Sequence, residues 1–267
     1  MTGIRTQTAT CADGMPLFVA LPQGDARAPA MIVVHERYGF VRHIRELAER
    51  FARDGFVAVA PDLYFRHLDQ EALHRGDVGY DVTDPDALVA LTAVIDWLKS
   101  IPQADSARIA IMGICQTARL PLVVAAAHPI AAALVWYCAA QPREWNVNDK
   151  YPRALDDIIA AIDCPVLGMF GETDHLISID DIRKFRDCLE RHGKSFVIRV
   201  YRDAPHGWLN DTMPGRYRRA QAEAAWAAQH AFLQQVLAPG YDGRTRMQHY
   251  AADIAVDYDF SRNVRHE

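Results

Sequence analysis

Short apolar runs alternate with segments of helical period along most of the chain. Residues 30–35 (AMIVVH) form a run of strand length that suits burial on both faces. A charged, glycine-containing break follows at 36–41. Ile44, Leu47, Ala48 and Phe51 then recur at i, i+3, i+4 and i+7, which predicts an amphipathic helix over 43–53, ended by Asp54-Gly55. Residues 56–60 are the next strand, stopped by Pro61. Residues 63–82 mix charges and histidines with little period and are expected to be a loop holding about one turn of helix. Asp84-Pro85 opens a helix to about 100, with Leu88, Leu91, Val94, Ile95 and Leu98 on its buried face. A strand over 108–112 leads through the tight junction Gly113-Ile114-Cys115-Gln116-Thr117 into a helix to about 127. Strands over 132–137, 165–170 and 196–201 then alternate with helices over 153–161, 180–191 and 216–237.

This alternation predicts one α/β domain over 1–238, with a mostly parallel central sheet and helices on both faces. Sites in such sheets form beyond the carboxyl ends of the strands. Past Pro239 the period is lost, and Tyr241, Tyr250, Tyr258 and Phe260 stand scattered among charges. Residues 239–267 are expected to be a tail, laid over the domain, rimming the active site or reaching a partner subunit.

Composition narrows the function. The chain has 267 residues, half of them hydrophobic, enough for one large core. A net charge of −5 without a basic stripe argues against nucleic acid as a partner. No apolar run is long enough to span a bilayer, and residues 1–14 lack the cationic and apolar regions of a signal peptide. The five cysteines (Cys11, Cys115, Cys138, Cys164 and Cys188) are scattered without CxxC spacing, which speaks against a disulfide framework or structural zinc. A reducing, cytoplasmic setting fits. His67, Asp69, Glu71 and His74 form a dense run, but its spacing does not put both histidines on one helical face as in HExxH, so a solvated loop is expected and no metal.

Three polar residues follow strands in the order nucleophile, acid, base: Cys115 after 108–112, Asp174 after 165–170 and His206 after 196–201. That is the chain order of the α/β-hydrolase triad, with sulfur in place of oxygen. A strand-to-helix elbow pushes the nucleophile out of the backbone and aims the N–H groups of a helix start at it. His206 can move a proton near neutral pH, and Asp174 can fix its tautomer. Cys138, Cys164 and Cys188 read as small core hydrophobes.

The motifs VVHERYG with Glu36, HIRELAERFARDGFVAVAPDLYFR, GICQ around Cys115, GETD ending in Asp174 and HGW from His206 together resemble the dienelactone hydrolases (carboxymethylenebutenolidases), from about residue 29 to 237. The resemblance implies an α/β-hydrolase fold and a Cys115–His206–Asp174 triad without metal or organic cofactor. It implies that Glu36 lies near the thiol and takes part in activating it, and that the backbone N–H groups of Arg37 and Gln116 form the oxyanion hole. It also implies that Arg66 helps hold a substrate carboxylate and that Tyr137 lies near the pocket. A desolvated carboxylate after a buried strand can accept the thiol proton.

Four positions depart from the family pattern. Thr117 stands where the elbow usually has its second glycine, and a β-branched residue there is expected to crowd the turn. Arg119 replaces a small apolar residue and is expected to reach the surface or a carboxylate. Asn210 takes the place of a second substrate-binding arginine, for which Arg216 is a candidate substitute. Cys138 replaces a glycine. Trp208 and Trp145 are candidate pocket walls. The reading is a hydrolase of a lactone or ester, working through a thioester as monomer or homodimer. Two alternatives stay open: a hydrolase of a neutral ester or thioester on the same triad, and a non-catalytic binding protein with a degenerate pocket.

Overall fold

The apolar runs become the buried centre of one sheet. A computed structural model describes residues 3–243 and 246–267. Met1 and Thr2, at the start of the stretch read as leaderless, and Arg244 and Thr245, within the expected tail, lie outside the described residues. The strands are β1 (Ile4–Thr10), β2 (Pro16–Pro22), β3 (Ala28–Val34), β4 (Val57–Pro61), β5 (Ala104–Ile114), β6 (Ala132–Trp136), β7 (Val166–Gly171), β8 (Phe196–Tyr201) and β9 (Gln248–Ala252). Their order across the sheet is β1-β2-β4-β3-β5-β6-β7-β8-β9. β1 pairs with β2, and β2 with β4, antiparallel; every other pairing is parallel. This mostly parallel sheet with an antiparallel edge and flanking helices is the expected α/β-hydrolase fold.

The helices are α1 (Arg42–Arg53), α2 (Gln70–Arg75), α3 (Asp84–Lys99), α4 (Leu120–Ala125), α5 (Leu155–Ala161), α6 (Ile179–Arg191) and α7 (Arg219–Val236). α1 buries Ile44, Leu47 and Phe51 against one face of the sheet, at about 1.5–3 kcal/mol for each large side chain. α3 starts where Thr83 accepts from the Asp86 N–H at 3.2 Å, and its Leu91, Val94 and Leu98 cover the other face. α6 starts in a Ser178–Asp181 capping box. Apolar clusters fill both sides of the sheet, as a parallel sheet requires.

Three elements depart from the expected pattern. β1 and β2 add an antiparallel edge ahead of the first predicted strand; β1 is largely exposed, so its polar residues carry no alternation to read. The last long helix begins at Arg219, which leaves Arg216 in the loop before it. The segment after α7 packs on the domain itself and supplies β9, an exposed edge strand paired with β8. Edge strands are held through backbone bonds and need no hydrophobic face.

Candidate active site

The elbow comes first, because it fixes the sulfur. β5 runs into a short 3₁₀ turn, Cys115–Thr117, and Cys115 sits at φ 57°, in the left-handed region that a side chain rarely adopts. A Cβ on Gly113 would collide with the Thr117 carbonyl and Pro121 Cδ, so only glycine fits beneath the turn. Pro121 lies in the first turn of α4, where its missing N–H costs nothing. Thr117 does not crowd the elbow. Its buried Oγ1 accepts from the Ile114 N–H at 3.1 Å and lies 2.9 Å from the His35 carbonyl, to which it donates. The hydroxyl stitches the nucleophile turn to the end of β3.

His206, on the loop after β8, places Nε2 2.9 Å from the Cys115 sulfur and Nδ1 2.8 Å from Asp174 Oδ2. Asp174, on the loop after β7, is fully buried. Burial alone would push His206 down. The Asp174 carboxylate and the Cys115 sulfur outweigh it, and the imidazole pKa stands well above its usual value. The three residues expected to act together therefore do meet.

Glu36 is buried after β3, and both its oxygens are engaged: the Tyr137 hydroxyl donates to Oε1 at 3.3 Å and Asn210 Nδ2 to Oε2 at 2.9 Å. Tyr137 and Asn210 thus hold Glu36. Asn210 does not stand as half of a substrate clamp, because its amide is committed to Glu36 and its oxygen to Thr212. Behind Glu36 lies His35, which sequence reasoning passed over. It is fully buried; Nδ1 bonds the Glu36 carbonyl at 2.9 Å and Nε2 accepts from the Leu63 N–H at 3.0 Å. These bonds fix a neutral tautomer, and burial lowers its pKa to about 4. Its adjacency to Glu36 at a strand end was the available signal.

Cys115 borders two joined lobes that also share Arg37 and Leu176. The larger, about 290 Å³, is lined by Tyr80, Gln116, Cys138, Gln141 and Arg143. The smaller, about 150 Å³, is lined by Glu36, Tyr38, His175, His206, Arg216 and Arg265. The backbone N–H groups of Arg37 and Gln116 have no acceptor among the described residues. Two free N–H groups on loops that border the sulfur match the requirement of an oxyanion hole. The Gln116 side chain turns away to the Tyr80 carbonyl and Asp81.

Three residues expected at the pocket, the carboxylate-holding Arg66 and the candidate walls Trp208 and Trp145, lie elsewhere. Arg66 donates to the Asp13 carbonyl at 3.1 Å, stands 3.7 Å from the Asp13 carboxylate and lines a neighbouring cleft. Asp13 comes from the turn between β1 and β2, which the sequence pattern did not disclose. Trp208 has no exposed surface and packs on Trp136, Tyr137 and Tyr201 beneath the site, with ring centroids 5.1–5.9 Å apart. Trp145 likewise packs against a core cluster rather than on either lobe. Arg119 reaches a carboxylate, as one of its two expected outcomes: it is buried, with Nε 3.0 Å from Asp84 and further bonds to the Glu144 and Arg153 carbonyls.

In the His67–His74 run, Asp69 caps α2 and Glu71 faces Arg75. Metal-ligand atoms do converge elsewhere, at Asp156, Cys188 and His192. There Asp156 is already countered by His192 at 2.5 Å and Arg191 at 2.7 Å, which hold its pKa near about 2.

The model of the dienelactone hydrolase family matches residues 15–237. The chain belongs to the dienelactone hydrolase family. It is 34% identical over 222 residues to a protein of Salmonella typhimurium named "Putative carboxymethylenebutenolidase", covering 80% of each chain. An Escherichia coli K12 protein of the same name is also 34% identical over 222 residues, with 80% of each chain covered. Among solved structures, a dienelactone hydrolase from Klebsiella pneumoniae, named "Putative" there too, superposes with a TM-score of 0.75 at 28% identity. It covers 87% of this chain and 99% of that one. The matched region of this dienelactone hydrolase family member holds the Cys115 elbow, Asp174 and His206. It does not extend to β9 or to Arg265.

Proposed function

We propose that Cys115 is the nucleophile with which this ester and lactone hydrolase of the dienelactone hydrolase family opens its substrate. The observation that carries the reading is the chain of two short contacts, Cys115 sulfur to His206 at 2.9 Å and His206 to Asp174 at 2.8 Å, ending on a strained elbow. The thiol gives its proton to His206 Nε2 as sulfur bonds to the carbonyl carbon. The carbonyl oxygen becomes an oxyanion held by the Arg37 and Gln116 N–H groups. Collapse breaks the bond to the ester oxygen, which takes the proton from His206 and leaves; in a lactone it stays attached through the acyl chain. Water, deprotonated by His206, then hydrolyses the thioester and restores the thiol.

Glu36, Tyr137 and Asn210 form the polar cradle beside the sulfur, and Glu36 is the second proton acceptor within the smaller lobe. Among the described residues no helix is long and apolar enough to cross a membrane. The five cysteines are unpaired, which favours a reducing, cytoplasmic compartment for an enzyme dependent on a free thiol. The test is Cys115→Ala against activated aryl esters, with intact-protein mass spectrometry of Cys115→Ser and wild type during turnover. Loss of turnover in a folded Cys115→Ala, with an acyl adduct mapped to position 115 in the wild type, is expected. Retained turnover removes the mechanism and favours a different nucleophile; a wild type inert to every ester favours the binding-protein alternative.

A further inference from the structure

The segment after β9 lies outside the family-matched region, yet it reaches the site at two places. Asn263 Nδ2 donates to the Asp174 carbonyl at 2.9 Å and to the Glu172 carbonyl at 3.1 Å, on the loop that carries the acid. The Glu172 carboxylate in turn accepts from the Ala255 N–H, and Tyr258 Oη accepts from the Ile179 N–H at 3.2 Å, so the segment is anchored along the acid loop and the start of α6. Its far end brings Arg265 into the wall of the smaller lobe beside Arg216, Cys115 and His206.

Charge in that lobe is unbalanced. Three arginines, Arg37, Arg216 and Arg265, border it among the described residues, against one acidic residue, Glu36, which Tyr137 and Asn210 already cover; the Arg37 guanidinium is spent on the Gly76 carbonyl. Arg216 is buried at 6% exposure, with Nε on the His266 carbonyl at 2.5 Å and one Nη 3.2 Å from the Tyr38 hydroxyl. Arg265 Nε lies 2.9 Å from Glu267, whose carboxylate also stands 3.7 Å from Arg216. That carboxylate is 78% exposed and salt-screened, so it holds the two arginines weakly. A negative group entering the lobe meets the same pair from the side where Arg216 is buried and its attraction is stronger, while Arg265 is half-exposed.

We propose that Arg265, supported by Arg216, is a specificity-determining residue that receives an anionic group of the substrate, in place of the Arg66 and residue-210 clamp that does not form here. The Glu267 side chain occupies the outer side of the pair and is displaced or shared when that group binds. This rests on the hydrolase reading above. The small lobe suits a carboxylate on a short chain.

The test is steady-state kinetics of wild type, Arg265→Gln and Arg265→Lys on three activated esters. These are 4-nitrophenyl acetate, 4-nitrophenyl hemisuccinate with a carboxylate in the acyl part, and 4-acetoxybenzoate with one in the leaving group. Arg265→Gln is expected to lower the anionic-to-neutral ratio of kcat/KM for at least one anionic ester by about tenfold, mainly through KM, as loss of a charge-assisted hydrogen bond does. Arg265→Lys, which keeps the charge, should recover part of it, and added salt should erode the wild-type preference. A change of the same size on all three esters, which is what mere loosening of the acid loop would give, overturns the proposal, as does no change at all. If the wild type turns over no ester in a Cys115-dependent way, the hydrolase reading falls and this inference with it. If Cys115-dependent turnover is present and the ratio does not move, only the inference falls.

Discussion

Thr117→Val keeps the shape of the side chain and removes its hydroxyl. At 2% exposure no water replaces the lost group. The Ile114 N–H loses its acceptor at 3.1 Å, and the His35 carbonyl its donor at 2.9 Å. A buried polar group left unpaired costs about 1–3 kcal/mol, so the substitution is expected to destabilise by about 2–4 kcal/mol. At about 2–4 °C per kcal/mol for a chain near this size, the midpoint falls by roughly 4–16 °C. Thr117→Ser keeps both bonds and loses one methyl, for about 1 kcal/mol. Thr117→Gly restores the residue usual in the family but loses the hydroxyl, the methyl and backbone rigidity, so it should be no more stable than the valine variant. Urea unfolding followed by tryptophan fluorescence reads these differences, since Trp136 and Trp208 are fully buried near the elbow. Turnover should follow the same order, because a shift of about 1 Å in the sulfur can cost on the order of a hundredfold in rate. A valine variant within about 0.5 kcal/mol of wild type, or a glycine variant more stable than either, would show that Thr117 only fills space and crowds the turn.

His35 is neutral in the fold, with a pKa of about 4 against an ordinary 6.5, so between those values the unfolded chain binds more protons than the folded one. Its contribution is fully present above about pH 6.5 and is lost as pH falls toward about 4, amounting to roughly 3 kcal/mol; His35→Gln should flatten that part of a stability–pH curve, and an unchanged slope counts against the assignment. Arg119→Met leaves Asp84 buried without its partner and should cost about 3–5 kcal/mol in denaturant unfolding, and the double variant Asp84→Asn/Arg119→Met, which leaves no unpaired charge at Asp84, should cost less than Arg119→Met alone. Asn210→Arg restores the family residue, but the position faces Glu36, so the new guanidinium should pair with that carboxylate and lower turnover. A gain in preference for anionic esters would mean that the side chain points into the lobe instead.

The buried strands were legible because a parallel sheet covered on both faces leaves continuous apolar runs, as over 132–136 and 166–170. The candidate nucleophile, acid and base were legible because each follows such a run directly. The edges were not: β1 and β9 are exposed and paired through backbone, so neither writes a period into the sequence. One misplacement and one omission follow from that. The family resemblance gave Arg66 to the substrate, whereas its partner Asp13 comes from a hairpin turn that the pattern did not disclose. Arg265 was not singled out because nothing in an aperiodic segment tells where it returns. Thr117 was read as bulk, yet its hydroxyl is what the fold uses, and hydrogen bonds between residues 82 positions apart leave no local trace. Trp208 was a candidate wall, and the ring stack with Trp136 and Tyr201 makes it core.

The left-handed backbone at Cys115 limits what this position can become. A branched β-carbon clashes there, so threonine is closed to it as an alternative nucleophile, whereas serine has the same shape as cysteine and is open. The interchange of sulfur and oxygen is therefore a single-atom step that leaves the elbow untouched. The residues that would relax this backbone, glycine and asparagine, carry no comparable nucleophile. If Cys115 is the nucleophile proposed above, reactivity and local stability pull in opposite directions at this one position, and the stitching by Thr117 and His35 holds the left-handed turn in place.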